Sequence, residues 1–147
     1  MKSGFPHEKT DWDLYYKRLN PLAGITKSII RRRLLYFIRK YFRGKKNFSV
    51  LEFGGGNSCF YEEIRREFEP SAYWVLDNNP VGLAELEDRA GKDKKLRLLK
   101  RDILDPAPIP PEVGQQDLSF SVGLIEHFSM EDTQKAIIAH FNVLDKG

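Results

Sequence analysis

Apolar positions recur along the chain in two alternating rhythms. Between Ile25 and Phe42, the residues Ile30, Leu34, Phe37, Ile38 and Tyr41 share one face of a predicted helix, and arginines fill much of the remainder. Gly44 stops this helix. Asn47 then leads into Phe48-Ser49-Val50-Leu51-Glu52-Phe53, a β-favouring run that ends at three consecutive glycines. Phe60, Tyr61, Ile64 and Phe68 return to helical spacing until Pro70 breaks it.

The same alternation then repeats. Tyr73-Trp74-Val75-Leu76 reads as a second buried strand, and Asn79-Pro80 supplies an N-cap and a first-turn proline for a helix carrying Leu83, Leu86 and Ala90, closed by Gly91. Leu96 to Lys100 reads as a third strand. The segment from Asp105 to Gln116 holds four of the eight prolines and must be a loop. Asp117 to Val122 is a fourth strand, and Ser129-Met130-Glu131-Asp132 is a capping-box variant opening a helix with Ala136, Ile137 and Phe141. Strands alternating with helices predict an α/β fold with a doubly wound parallel sheet. There is no internal repeat, and the chain stops at Asn142-Val143-Leu144-Asp145-Lys146-Gly147, where another strand is expected.

Composition narrows the class. A chain of 147 residues that is 41% hydrophobic can bury one domain's core, which excludes disorder for most of its length. A single cysteine, Cys59, cannot form an internal disulfide, and His7, His127 and His140 lie too far apart for zinc-type spacing. A reducing, cytoplasmic setting without a metal site is therefore expected. No apolar run approaches the roughly 18 residues of a membrane span, and the charged first 25 residues lack a signal-peptide core.

The net charge of +3 hides an asymmetry. From Leu14 to Leu51 there is no Asp or Glu but there are eleven Lys or Arg, which leaves 13 basic against 21 acidic groups elsewhere, a net of −8. A basic N-terminal helical extension, residues 1–46, thus precedes an acidic core, residues 47–147. Three readings of the basic stretch stand: a helix packed across the cleft with solvated arginines, a helix lying on a membrane surface, or a phosphate-backbone contact. The last ranks third, because no segment resembles a nucleic-acid-binding module. Tyr15 and Tyr16, after Asp11-Trp12-Asp13, are placed to close over a ligand.

The candidate chemistry lies where strands end. Glu52-Phe53-Gly54-Gly55-Gly56-Asn57-Ser58 joins a strand to a helix, and its glycines serve either tight packing or close approach of a nucleotide-like ligand. Asp77 ends the second strand, where a carboxylate accepts from both ribose hydroxyls of a bound nucleoside or caps the helix that follows. Asp102 ends the third strand. In a parallel sheet these three acids face one crevice, since ligands bind beyond the carboxyl ends of the strands.

These segments, in order, resemble the class I S-adenosylmethionine (SAM) dependent methyltransferases from about Phe48 to Gly147. Val50 to Gly56 is similar to their glycine-rich first motif, Val75-Leu76-Asp77-Asn78-Asn79-Pro80 to their acidic second motif, Arg101-Asp102-Ile103 to the third, and Ser121 to Phe128 to the fourth. The resemblance implies SAM as cofactor and a cofactor-binding set of Glu52, Gly54, Gly55, Gly56, Asp77, Asn78, Asp102, Ile103 and Gly123. Gly54 and Gly56 would approach the methionine part, Asp77 the ribose, Asp102 the adenine amino group and Gly123 the sulfonium. Ser58 departs from the commonest pattern, which has a glycine there.

The fourth motif lacks the Asp/Asn-Pro-Pro-aromatic signature of many nucleic-acid and amide methylating relatives. Gly123-Leu124-Ile125-Glu126-His127-Phe128 resembles instead the methyltransferases of small molecules, sugars and lipids. His127 is either the catalytic general base for an acceptor hydroxyl or a helix-entry residue shaping the pocket. The resemblance also implies a Rossmann-like sheet of order 3-2-1-4, shorter than the family's at the C-terminus. The fourth strand would then be an open edge that invites a second copy of the chain. A module that binds SAM or a nucleotide without catalysis is the alternative.

Overall fold

The computed structural model describes residues 21–145, with side chains from Lys27 onward; the Asp11 to Tyr16 segment lies outside the described residues. Helix α1 (Pro21–Tyr41) begins at a proline, which suits a first turn whose N–H has no helical partner, and ends with Arg39 and Lys40 on the negative end of the helix dipole. Then follow β1 (Val50–Phe53), α2 (Tyr61–Phe68), β2 (Tyr73–Asp77), α3 (Pro80–Ala90), β3 (Leu96–Lys100), β4 (Leu118–Ser121) and α4 (Met130–Asn142). Short 3₁₀ turns cover Pro111–Val113 and Ile125–His127. Among the described residues, no helix is long and apolar enough to cross a membrane.

All strand pairs are parallel, with Val50 opposite both Tyr73 and Leu118, and Tyr73 opposite Leu96. The order is β3-β2-β1-β4, as expected from the sequence. β1 is central and buried at every position, which is why it reads as an apolar run broken only by Glu52. One sheet face presents Val50, Tyr73, Val75 and Phe120 to α1, α2 and α3, which bury Ile38, Ile64 and Leu86 there. Each such aliphatic side chain stabilises the fold by roughly 1.5–3 kcal/mol relative to exposure. The other face packs Leu51, Phe53 and Leu76 against Ile103, Val113 and Ala136 of α4. Helix α1 is part of the first layer, since Leu35 and Ile38 belong to the same core as Phe48 and Val50.

The inward stripe of α1 differs from the predicted one. Leu35 and Ile38 are buried and the Phe42 ring packs tilted against Phe48 at 4.6 Å, whereas Phe37 and Tyr41 are 50% and 69% exposed. At about 100° per residue, Leu34, Leu35 and Phe42 flank Ile38, and Phe37 and Tyr41 fall outside that sector. β1 starts at Val50 rather than Phe48 because the Ser49 N–H donates to the Asp117 carboxylate at 2.8 Å instead of joining a ladder. At the far side of the sheet, Gln116 forms a parallel bridge with Leu144: its N–H donates to the Val143 carbonyl at 2.7 Å, and its carbonyl accepts from Asp145 at 2.9 Å. Beyond that rung, β4 has a strand neighbour on one side only among the described residues.

Candidate functional site

The parallel sheet carries the ends of β1, β2, β3 and β4 to one edge, and the sequence-predicted residues cluster there. Gly54 leaves β1 with φ +66°, and its N–H donates to the Leu76 carbonyl at 2.8 Å. Gly56 also has positive φ, at 42°. Side chains are excluded from this turn by sterics: a Cβ on Gly54 would sit 2.8 Å from Leu124 Cδ1, and one on Gly55 would sit 2.7 Å from Val75 Cγ1. Leu124, which follows β4, thereby walls the turn opposite the strand ends.

Beneath the turn lies a polar network. Glu52 is buried, and its carboxylate accepts from the Tyr73 hydroxyl at 2.7 Å and from Ser58. Burial pushes Glu52 up to about 7, against the pull of those two donors, and repulsion from Asp77 adds to the rise. The Ser58 hydroxyl also accepts from the N–H groups of Phe60 and Tyr61, both at 3.1 Å, at the start of α2. A glycine at position 58 would satisfy none of these groups, so the departure from the family pattern has a structural role here.

Asp77 is buried at the end of β2. Its carboxylate accepts from the Asn79 N–H at 2.7 Å and from the backbone of Gly56 and Asn78. Burial raises its proton affinity, those three donors oppose the rise, and the neighbouring Asp102 carboxylate reinforces it. Asp102 is exposed and accepts from the Leu104 N–H at 2.9 Å, while Ile103 turns into the core. Asn78 is exposed beside Asp77. The structure thus brings Asp77 within electrostatic reach of both Glu52 and Asp102. Gly123 is exposed with φ +73°, and His127 is exposed on the 3₁₀ turn that follows Leu124.

Besides Leu124, three contributors lie outside the set expected from sequence. Asn79, read there only as a helix cap, is buried and accepts from the N–H groups of Val81 and Gly82, which fixes the start of α3. Gly82 leaves only tight space for a side chain: a Cβ would lie 3.0 Å from the Asn57 nitrogen and 3.1 Å from Gly56 Cα, so the glycine turn would have to give by a few tenths of an ångström. Helix α3 therefore rests directly on the glycine turn. Arg89 of the same helix donates to Asn57, to the Ser58 carbonyl and to Glu62, which ties the two elements together. A glycine in the first turn of a helix that follows an acidic strand end was the available signal for Gly82. Leu124 had none beyond its apolarity.

This site chemistry fits a cationic, hydroxyl-bearing nucleoside. The charges that weigh on Glu52 and Asp77 are other carboxylates, an environment that attracts a sulfonium or ammonium group and repels a pyrophosphate. Among the described residues, no group of His, Cys, Asp and Glu is arranged to hold a metal ion.

Residues 50–147 match the family model described as a methyltransferase domain, and the chain belongs to that family. Among solved structures, the magnesium protoporphyrin IX methyltransferase ChlM from Synechocystis PCC 6803, with bound SAM, superposes with a TM-score of 0.70 at 10% identity, over 99% of this chain and 75% of its own. The N-methyltransferase NodS from Bradyrhizobium japonicum WM9, in complex with S-adenosyl-L-homocysteine, gives 0.65 at 19% identity, over 80% of this chain and 57% of its own. CalS10, an amino pentose methyltransferase from Micromonospora echinaspora with bound SAM, gives 0.65 at 15% identity, over 88% of this chain and 54% of its own. The chain thus spans little more than half the length of the latter two. No curated protein sequence matches it.

Proposed function

We propose that this chain is the cofactor-binding part of a SAM-dependent methyltransferase whose acceptor is a small molecule, a sugar or a lipid-linked compound. The observation that carries the reading is the pair Asp77 and Asp102, on neighbouring strand ends and in electrostatic contact beside a glycine turn with no space for side chains. Asp77 has the position and acceptor capacity to hold a ribose, and Asp102 to accept from an adenine amino group. Gly54, Gly55 and Gly56 let the backbone approach the methionine part, with Glu52 beneath them. Asn78 and Gly123 are proposed to complete the rim, with Ile103 packed in the core behind Asp102. SAM supplies an electrophilic methyl on a positively charged sulfur.

On the acceptor side, His127 is proposed as the base that takes the proton from an acceptor hydroxyl. Methyl transfer asks little more of a protein than holding the nucleophile in line at near-attack distance. Small-molecule and sugar acceptors are supported by the Gly-Leu-Ile-Glu-His-Phe segment and by the acceptors named for ChlM and CalS10.

Calorimetric titration with SAM, S-adenosyl-L-homocysteine and NAD tests the reading. SAM and its demethylated product are expected to bind, and NAD to bind more weakly than either. A higher affinity for NAD than for SAM overturns it. His127→Asn is expected to leave SAM affinity unchanged while abolishing turnover of a hydroxyl acceptor.

A further inference from the structure

The charge asymmetry of the sequence gains a shape in α1. Its inward face is Leu34, Leu35, Ile38 and Phe42, and its outward face carries a second apolar set at helical spacing. Ile29, Tyr36, Phe37 and Tyr41 are all at least half exposed, with Ile29 at 54% and Tyr36 at 58%. Phe37 and Tyr41 stack at 6.5 Å, Tyr36 meets Phe37 edge-on at 5.6 Å, and the Lys40 ammonium lies 5.3 Å from the centre of the Tyr41 ring. These rings pack on one another and leave their outer surfaces to solvent.

Cations run through the same face. Three basic residues near α1 are spent on internal pairs: Arg31 with Glu63 at 3.1 Å, Arg39 with Glu67 at 2.5 Å, and Lys45 with Asp117 at 2.6 Å. Arg32, Arg33, Lys40, Arg43 and Lys46 are exposed, and no ion pair engages them among the described residues. Lys40, Arg43 and Lys46 also edge a cavity of about 940 Å³ floored by Phe42 and Phe68, where α1 ends. That cavity lies where the chain enters β1, at the end of the sheet opposite the glycine turn.

We propose that this outward face of α1 docks the chain on an anionic lipid bilayer. Exposed phenyl and phenol rings interleaved with lysine and arginine match the boundary between headgroups and acyl chains, where apolar bodies are buried and cations meet lipid phosphates. Because the inward stripe and the Arg31–Glu63 and Arg39–Glu67 pairs hold α1 to the fold, and the outward rings take no part in that, docking requires no unpacking of the core. The exposed aliphatic Ile29 selects the occupant: the absence of Asp and Glu along α1 suits any polyanion and the rings could stack on bases, but an isoleucine at the surface gains by burial among acyl chains and offers a base or a phosphate nothing. This inference stands apart from the cofactor reading and survives or fails without it.

The test is cosedimentation of the full chain with vesicles of phosphatidylglycerol mixed into phosphatidylcholine, against phosphatidylcholine alone, at low salt. Binding is expected to the anionic vesicles only. Arg33→Gln with Lys40→Gln should weaken it by about fivefold per cation removed, and Phe37→Ser by a further several-fold. Lys92→Gln with Lys94→Gln, an equal loss of charge elsewhere on the surface, should leave it near wild type. Circular dichroism and melting of each variant should match wild type, since none of these side chains enters the core. Equal partition into both vesicle types, equal loss in the two double variants, or binding of a single-stranded RNA without binding of vesicles overturns the proposal.

Discussion

The Tyr73 hydroxyl donates to the Glu52 carboxylate at 2.7 Å across two parallel strands, and both side chains are buried. This places an ionisable group directly under the turn that is proposed to hold the cofactor. Burial raises Glu52 from the ordinary 4.5 to about 7, so the folded chain holds this proton more tightly than the unfolded chain. The stability it contributes is complete below about pH 4.5 and is lost as the pH rises through about 7, an effect of roughly 3 kcal/mol. Asp77 shifts in the same direction, and His140, whose proton affinity is lowered by burial, acts in the opposite one.

Glu52→Gln isolates the contribution of Glu52. The variant is expected to lose stability less steeply than wild type between pH 5 and pH 8 in urea titrations. Tyr73→Phe removes a donor that favours the charged carboxylate, so it should move the midpoint of the wild-type pH dependence upward. Parallel curves for wild type and Glu52→Gln would contradict the assignment.

Gly82→Ala separates stability from binding. Alanine favours helix by about 1 kcal/mol over glycine, which offsets the crowding of its Cβ against the Asn57 nitrogen and Gly56. The melting temperature should therefore change little, while displacement of the glycine turn lowers SAM affinity by about tenfold, or about 1.4 kcal/mol. Calorimetry alongside a thermal melt reads both.

Asp77→Ala removes the acceptor proposed for the ribose and is expected to weaken SAM by roughly ten- to a hundredfold. It also takes away the acceptor for the Asn79 N–H. Asp77→Asn keeps a carbonyl oxygen for that N–H and should bind SAM with intermediate affinity. Equal affinity of wild type and both variants would remove Asp77 from the site.

Among the described residues β4 has a strand neighbour on one side only, and Ile138 and Phe141 of the adjacent α4 are exposed. Light scattering at micromolar concentration is expected to show a species larger than the monomer. A proline at Ser119, within the strand, should reduce it to monomer. A wild-type monomer across that range would count against pairing at this edge.

Periodicity and turn chemistry carried the fold well. Four apolar runs separated by Gly, Pro and Asn were enough to place β1 to β4, and Asn79-Pro80 and Ser129 mark helix starts that the structure caps through the same side chains. The order 3-2-1-4 came instead from resemblance, because periodicity says which residues are strands and not which strands are neighbours. The buried stripe of α1 departs from the expected one because both faces of the helix are apolar. Phe37 and Tyr41 fit a helical spacing as well as Leu35 and Phe42 do, and only packing against Phe48 distinguishes the two sets. The carboxylates at the strand ends were legible because an acid after an apolar run is conspicuous. Ser58, Gly82 and Leu124 were not, because their roles are contacts between elements distant in sequence.

The place of β1 at the centre of the sheet also governs how the chain assembles. Among the described strands it is made first, and its β2 side can be satisfied soon afterwards. Its other side waits for β4, whose entry residue Asp117 lies 68 positions after Ser49. At translation rates of about 5–20 residues per second, that delay is roughly 3 to 14 s, during which a strand that ends up buried at every position keeps one bare edge. Closing it means gathering a long loop, which is slow for parallel sheets. The contacts of Asp117 with Ser49 and Lys45 then act as a clasp that closes the second edge of β1.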